Sequence, residues 1–341
     1  MFKTLRPLLF QIDPERAHAL TIAALRLGLG PRAAPDDSIL QVTLAGMVLP
    51  NPIGLAAGFD KNAAVPDAML RLGFGFVETG TVTPLPQAGN PQPRLFRLVE
   101  DDAVINRLGF NNAGLAHHVA QLAARRGRAG IVGVNIGANK DSADRIGDYV
   151  TGMTAAGPHA SYVTANISSP NTPGLRGLQT RASLTELIAQ LQPIAAGRPL
   201  FIKVAPDLTP DEIDAVAEVA LGGGVSGLIV SNTTLARPPL RSPDGDEAGG
   251  LSGAPLFAPS TEVLRRFARA TGGKLPLIGV GGVASGADAY AKLRAGATAV
   301  QLYTGMVFHG PGLVARIKTE LAALLRRDGH ASVIDAIGVD A

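Results

Sequence analysis

From residue 53 onward two hydrophobic patterns alternate along the chain. Short runs that are apolar throughout end in Gly, Asn, Thr or Ser, and most are followed by a stretch with helical spacing. The runs are IGLAAGFD from Ile53, FGFVETGT from Phe74, IVGVNIGA from Ile131 and YVTANISS from Tyr162. LFIKVAPD follows from Leu200, GLIVSNTT from Gly227, LPLIGVGG from Leu275 and TAVQLYTG from Thr298. Strands buried on both faces lose the in-out alternation of a half-exposed sheet, so these eight read as a parallel sheet covered by helices. Residues 183–196 and 211–221 are predicted helices, the second opening on the capping order Thr209-Pro210-Asp211-Glu212. Eight such units in about 260 residues predict an α/β TIM (β/α)8 barrel. A doubly wound open sheet is the weaker alternative. Residues 237–250, RPPLRSPDGDEAGG, are turn-rich and charged, the composition of a mobile flap.

Residues 1–34 follow another rule. Phe2, Leu5, Leu8, Leu9 and Phe10 form one short amphipathic run. A second opens with Asp13 as N-cap, Pro14 at the first helical position and Glu15 in the first turn. It carries Ala17, Leu20, Ala24 and Leu27 on one face and stops at Gly28 and Gly30. Neither run approaches the ~20 apolar residues of a membrane span, and no secretory signal is expected. The formal charge of the chain is +3. Lys3, Arg6, Arg16, Arg26 and Arg32 against Asp13 and Glu15 put all of it in the first 32 residues. Such a helical hairpin either covers one end of the domain at 35–341 or lies on an anionic membrane surface.

The 341 residues include no cysteine, which excludes disulfides, thiolate metal sites, iron–sulfur clusters and a cysteine nucleophile. Redox chemistry then needs a bound cofactor. With 17% charged residues and no basic stripe flanked by aromatics, a nucleic-acid partner is not expected.

In a TIM barrel the reacting groups lie at the C-terminal ends of the strands. Strand by strand, those ends offer Gly58, Asp60 and Lys61; Thr79, Gly80 and Thr81; Asn135; and Asn166, Ser168 and Ser169, with Asn171 beyond. The remaining four give Lys203; Ser231, Asn232 and Thr233; Gly281 and Gly282; and Tyr303 and Thr304. Amides, hydroxyls and two lysines dominate. This set suits neither a metal site, nor a paired-carboxylate glycosidase, nor a Ser-His-Asp hydrolase. It suits a large flat ligand with an anionic tail. GVGGV (279–283) and YTG (303–305) occupy the usual phosphate position of the fold. Lys203 sits in an apolar strand, where an unpaired charge is costly. It is a Schiff-base nucleophile, a cation for charge developing on a cofactor ring, or a core lysine paired with a structural acid. Lys61 pairs with a substrate carboxylate or is a solvated loop lysine. The polar loop INRLGFNNAG (105–114) has Asn106, Asn111 and Asn112 to read amide and imide groups. Within YVTANISSPNTPGL no acid, His or Cys stands by to activate either serine. The stretch is turn chemistry, or it holds a serine base without an evident helper.

In their order along the chain these stretches resemble the class 2, quinone-dependent dihydroorotate dehydrogenases. The resemblance rests on GLAAGFDK (54–61), ETGTVTPLPQAGNPQPRLFRL (78–98), INRLGFNN (105–112), GVNIGANK (133–140) and NISSPNTPGLRGLQ (166–179). It continues through IKVAPDL (202–208), SNTTL (231–235), GGLSGAPL (249–256) and IGVGGV (278–283). The resemblance implies oxidation of dihydroorotate to orotate, FMN as cofactor and ubiquinone as final acceptor. It implies flavin contacts from Ala57, Gly58, Phe59, Asp60, Lys61, Thr81, Asn135, Asn166, Lys203, Ser231, Gly253, Gly282, Tyr303 and Thr304. Dihydroorotate or orotate would be held by Lys61, Asn106, Arg107, Leu108, Gly109, Phe110, Asn166, Asn171, Asn232 and Thr233. Ser169 is the implied base at C5, relaying its proton through Thr172 or another hydroxyl, with hydride leaving C6. Because the substrate acidifies that proton, the serine needs less activation than a hydrolase nucleophile. Lys203 would stabilise negative charge on the flavin, and His18, Arg97 and Tyr303 would contact the quinone. Class 1 members use a cysteine as base, so its absence here favours class 2. The resemblance further implies a monomer held peripherally on the cytoplasmic side of the inner membrane by residues 1–34. Ser231 and Thr304 exchange the usual Thr and Ser, and Ala103 replaces a common glycine.

Overall fold

The eight apolar runs become eight strands in the computed structural model, which describes residues 2–341; Met1 and the Lys3 side chain lie outside the described set. They are β1 (Ile53–Leu55), β2 (Phe76–Val82), β3 (Ile131–Ile136), β4 (Val163–Asn166), β5 (Leu200–Val204), β6 (Gly227–Val230), β7 (Leu277–Val280) and β8 (Ala299–Leu302). Each pairs in parallel with the next, and β8 pairs with β1 through Val300–Ile53, Gln301–Gly54 and Leu302–Leu55. That last ladder closes a TIM barrel and rules out the open sheet. The expected helices run Arg181–Ala195 and Pro210–Gly222. Thr209 caps the second reciprocally: its hydroxyl accepts from the Glu212 N–H, and its own N–H donates to the Glu212 carboxylate at 2.8 Å.

Small residues let large ones into the barrel. A Cβ on Gly133 would stand 2.2 Å from the Tyr162 ring, and one on Gly54 2.3 Å from Phe76. Only glycine there leaves Tyr162 room to carry its hydroxyl to the barrel axis.

Two additions shape the mouth. Leu95–Leu98, Ala103–Asn106 and Gly250–Gly253 form a three-stranded antiparallel sheet. The first two residues of the expected 105–114 loop, Ile105 and Asn106, are therefore strand. The 237–250 segment, expected as a flap, is tied down: the Ser242 hydroxyl contacts the Glu100 and Asp101 carboxylates at 2.6 and 2.7 Å, and Arg237 donates to the Glu247 and Gly249 carbonyls, both at 2.7 Å.

The second addition is the hairpin of α1 (Phe2–Leu9) and α2 (Pro14–Arg26). Asp13 caps α2 as expected, accepting from the Arg16 N–H at 2.9 Å. Arg94 grips Glu15 through two bonds of 2.7 and 3.0 Å and also donates to the Ala88 and Asn90 carbonyls. Phe10 packs edge-on against Phe308, with ring centres 5.6 Å apart. The hairpin thus covers the barrel mouth, yet Leu8, Leu20, Leu27 and Leu29 remain about 60% exposed or more. No helix among the described residues is long and apolar enough to cross a membrane.

Candidate functional site

One continuous cavity of about 650 Å³ joins the strand ends to the cleft between α1 and α2, a size that suits a large ligand. Its inner wall carries Lys61, Asn166, Ser169, Lys203, Asn232 and Tyr303; its outer wall carries Phe10, Ala17, His18, Leu20, Ala24 and Arg97. One chamber is polar and the other largely apolar, with no partition between them.

The polar chamber is organised from beneath by Glu78, fully buried in β2. Its carboxylate accepts from Asn135 Nδ2 (2.8 Å), Tyr162 OH (3.1 Å), Thr164 Oγ1 (3.0 Å) and Gln301 Nε2 (3.0 Å). Asn135 Oδ1 then accepts from the Thr81 hydroxyl (2.5 Å), and Thr81 Oγ1 accepts from Asn166 Nδ2 (3.0 Å). Asn166 Oδ1 in turn accepts from Ser168 Oγ (3.1 Å) and Asn232 Nδ2 (3.2 Å). Since a carboxylate only accepts, every amide along this chain has its donor end fixed. The cost shows at Gln301, whose buried Oε1 has no partner. Reading the strand ends alone passes over Glu78; its signal is the lone charged residue of its strand, FVETGTV.

Lys203 stands beside Asn166 in the β4–β5 register and is 5% exposed. Burial depresses its pKa, while the field of Glu78 opposes the shift. Of the readings open for this lysine, pairing with a structural acid is met only at a distance. Lys61 is shifted to about 8, chiefly by burial, with Glu15 opposing. Ser169 is buried, and its Oγ accepts from the Asn171 N–H at 3.3 Å. Asn171 Nδ2 reaches Asn106 Oδ1 at 3.3 Å, joining the serine loop to the polar loop.

Glycine backbone forms the far end of the chamber. Gly282 has φ +73, and a Cβ there would lie 2.6 Å from Phe257 Cα; Gly253 has φ +101, and its Cβ would meet the Asp102 carbonyl at 2.4 Å. Neither position admits a side chain, so main chain faces the ligand. Thr304 Oγ1 donates to Ser252 Oγ at 2.9 Å beside them.

Of the other expected contacts, Ala57, Gly58, Phe59, Thr81, Ser231, Leu108, Gly109, Phe110 and Thr233 all line the cavity. Three do not. The Asp60 carboxylate accepts from the Ala64 and Val65 N–H groups (2.7 and 2.8 Å) and holds the loop after β1. Asn135 lies behind Thr81. Arg107 turns away to the Glu247 carboxylate at 2.6 Å and stacks on Phe96. Among the described residues no group of acids and histidines could hold a metal.

In the apolar chamber the rings of His18, Phe59 and Tyr303 follow edge to face, each pair 5.4 Å apart. Burial holds His18 at about 4, so the ring is neutral at pH 7. Its Nε2 lies 2.7 Å from the Phe59 carbonyl and must donate to it, which leaves Nδ1 an acceptor. Arg97 lies over the Phe10 ring at 4.9 Å and donates to the Leu9 and Ile12 carbonyls, tying the turn between α1 and α2.

The family model described as dihydroorotate dehydrogenase matches residues 39–325. A protein of Parvibaculum lavamentivorans named dihydroorotate dehydrogenase (quinone) is 60% identical, over 100% of this chain and 99% of its own. One of the same name from Xanthobacter autotrophicus is 56% identical, over 100% and 99%. The crystal structure of a DHODH from Eimeria tenella in complex with ferulenol superposes with a TM-score of 0.93 at 43% identity, over 96% of each chain.

Proposed function

The chain belongs to the dihydroorotate dehydrogenase family, in its quinone-dependent class, and from that premise we propose how its residues divide the reaction. The enzyme oxidises dihydroorotate to orotate for pyrimidine biosynthesis and passes the electrons to a quinone. The observation that carries the division of labour is the unpartitioned cavity, polar at the strand ends and apolar beneath the hairpin.

FMN fits the polar chamber: the backbone at Gly253 and Gly282 with the Thr304 hydroxyl suits its phosphate, and Lys203 lies without a contacting acid where charge would develop. When bound, it supplies the acceptor for the hydride leaving C6. Gly58, Phe59, Thr81, Asn166, Ser231 and Tyr303 would line it; Asn135 would act through Thr81, and Asp60 by shaping its loop. Lys61 takes the substrate carboxylate. Asn166, Asn171 and Asn232, with Asn106 and the backbone of 107–110, take the amide and imide groups. Ser169 Oγ, held by the Asn171 N–H, removes the C5 proton and passes it on through Thr172 or another nearby hydroxyl or water. These ring contacts pre-position the proton, so proximity does much of what a stronger base would otherwise do.

The apolar chamber takes the quinone. Tyr303 and Arg97 donate to carbonyl oxygen, whereas His18 Nδ1 suits the hydroxyl of the reduced form. Residues 1–34 are a unit apart from the barrel domain of 35–341, acting as a monomer; their exposed leucines and basic residues rest on an anionic membrane, on the cytoplasmic face of the inner membrane.

Anaerobic mixing of the purified protein with dihydroorotate tests the reading. Rapid bleaching of flavin absorbance, reversed by a ubiquinone analogue but not by NAD or fumarate, is expected. A protein without flavin, or with flavin that dihydroorotate leaves oxidised, overturns it.

Two further outcomes follow from the charges. The substrate carboxylate raises the Lys61 pKa above its free value of about 8, so binding is strong below pH 8 and is lost as pH rises through it. Orotate Kd, titrated from pH 6 to 10, should rise about tenfold per unit above pH 8; a flat profile removes Lys61 from the carboxylate. Glu15→Gln weakens the bidentate clamp on Arg94 that seats α2. At pH 6, where Lys61 stays protonated without the Glu15 charge, quinone KM should rise roughly five- to tenfold with dihydroorotate KM nearly unchanged, and equal changes in both would refute a local role.

A further inference from the structure

Another buried lysine, with no exposed surface, lies outside the site described so far. Lys292, on the helix Gly286–Arg294, is 0% exposed. Its ammonium donates to the Ser260 and Thr261 hydroxyls at 2.9 and 3.0 Å and lies 5.1 Å from the Phe257 ring centre. Those partners carry no charge. Asp288 on the same helix acts on it through the field, and the Asp288 carboxylate accepts from the Ala284 N–H at 3.0 Å. A buried cation without a contacting anion is expensive, and replacing it by an apolar side chain would ordinarily stabilise the fold.

Its position supplies a reason. Ser260 Oγ, which accepts from Lys292, donates to the Phe257 carbonyl at 3.1 Å and lies 3.4 Å from the Gly281 carbonyl. Phe257, whose ring the ammonium faces, is the residue against which Gly282 packs too tightly for any side chain. A Cβ on Gly279 would lie 3.2 Å from Lys292 Cδ. Lys292 therefore stands directly behind the glycine turn that faces the cavity.

We infer that Lys292 is a positioning residue for a phosphate monoester dianion in the Gly281–Gly282 turn, supplying from behind the cationic field that the uncharged turn lacks. The inference rests on the reading that this turn holds the FMN phosphate. Burial lowers the Lys292 pKa to about 7, and a dianion in front of it keeps it protonated. The charge acts across a dry, packed layer, where screening is weak.

The test compares FMN with riboflavin, which shares the ring and lacks the phosphate. Flavin-loaded enzyme is equilibrated with mixtures of the two, and the bound flavins are separated and quantified. Lys292→Met, close in volume, should lower the preference for FMN by about 10- to 100-fold with riboflavin affinity unchanged. An unchanged preference overturns the inference, whether both flavins bind normally or both are weakened equally. If Lys292→Met does not fold, the double variant Ser260→Ala, Thr261→Val releases the ammonium from its seat. A lowered FMN preference then supports the role, and an unchanged one refutes it. Wild-type protein that does not prefer FMN overturns the parent reading and this inference together, an outcome distinct from a preference that Lys292→Met retains.

Discussion

Replacing Ser169 by alanine should slow the bleaching of bound flavin by dihydroorotate about 10²–10⁴-fold, the usual contribution of a general base. Flavin content and orotate Kd should stay as in the wild type. Among the described residues the Ser169 hydroxyl makes one hydrogen bond, accepted at 3.3 Å from the Asn171 N–H. Alanine at this buried position leaves the Asn166–Asn232 pairing and the Lys203 strand untouched. The loss is therefore confined to the step that moves a proton. Single-turnover stopped-flow under anaerobic conditions isolates that step from quinone reduction. A wild-type rate in Ser169→Ala would leave the chamber as a binding site and require another base.

Removing residues 1–30 should abolish quinone turnover while dihydroorotate still bleaches the flavin. The truncation takes away His18 and the whole α1–α2 wall of the apolar chamber, but none of the barrel strands or the Glu78 chain. It also frees Arg97 from the Leu9 and Ile12 carbonyls and Arg94 from Glu15. The two half-reactions, followed separately, should part completely. Quinone turnover with normal affinity in the truncated enzyme would refute the tunnel, and loss of both half-reactions would make the hairpin a part of the barrel's stability.

The barrel was legible because its signal is repeated and local: each strand announces itself as an apolar run with a polar end. The strand-end rule also placed Lys61, Asn166, Ser169, Lys203 and Tyr303 together, since a closed barrel brings all eight ends to one mouth. The antiparallel sheet over that mouth was not legible. Its strands Ala103–Asn106 and Gly250–Gly253 pair across 144 to 150 residues, and pairing at that range leaves no local periodicity. Arg107 stands among the substrate-loop residues of INRLGF, yet it lies just past the end of the strand Ala103–Asn106 and its guanidinium is drawn outward to the Glu247 carboxylate and the Phe96 ring. Glu78 shows in the sequence as a lone acid, but its role does not, for another reason. Its four donors come from β3, β4, the residue before β4, and β8, and nothing in the sequence marks them as one group.

Glu78 also bears on what the chamber refuses. Because one carboxylate sets the sense of the Asn135–Thr81–Asn166–Asn232 series, the cavity offers any heterocycle a single order of N–H and C=O. A ring of identical outline with those groups exchanged would set donor against donor and acceptor against acceptor, leaving buried polar atoms unmet. Each such mismatch costs on the order of 1–3 kcal/mol, and two of them would separate isosteres by about a hundredfold or more. Selectivity among pyrimidine-like rings of one shape is thus written into an acid that never meets the ligand.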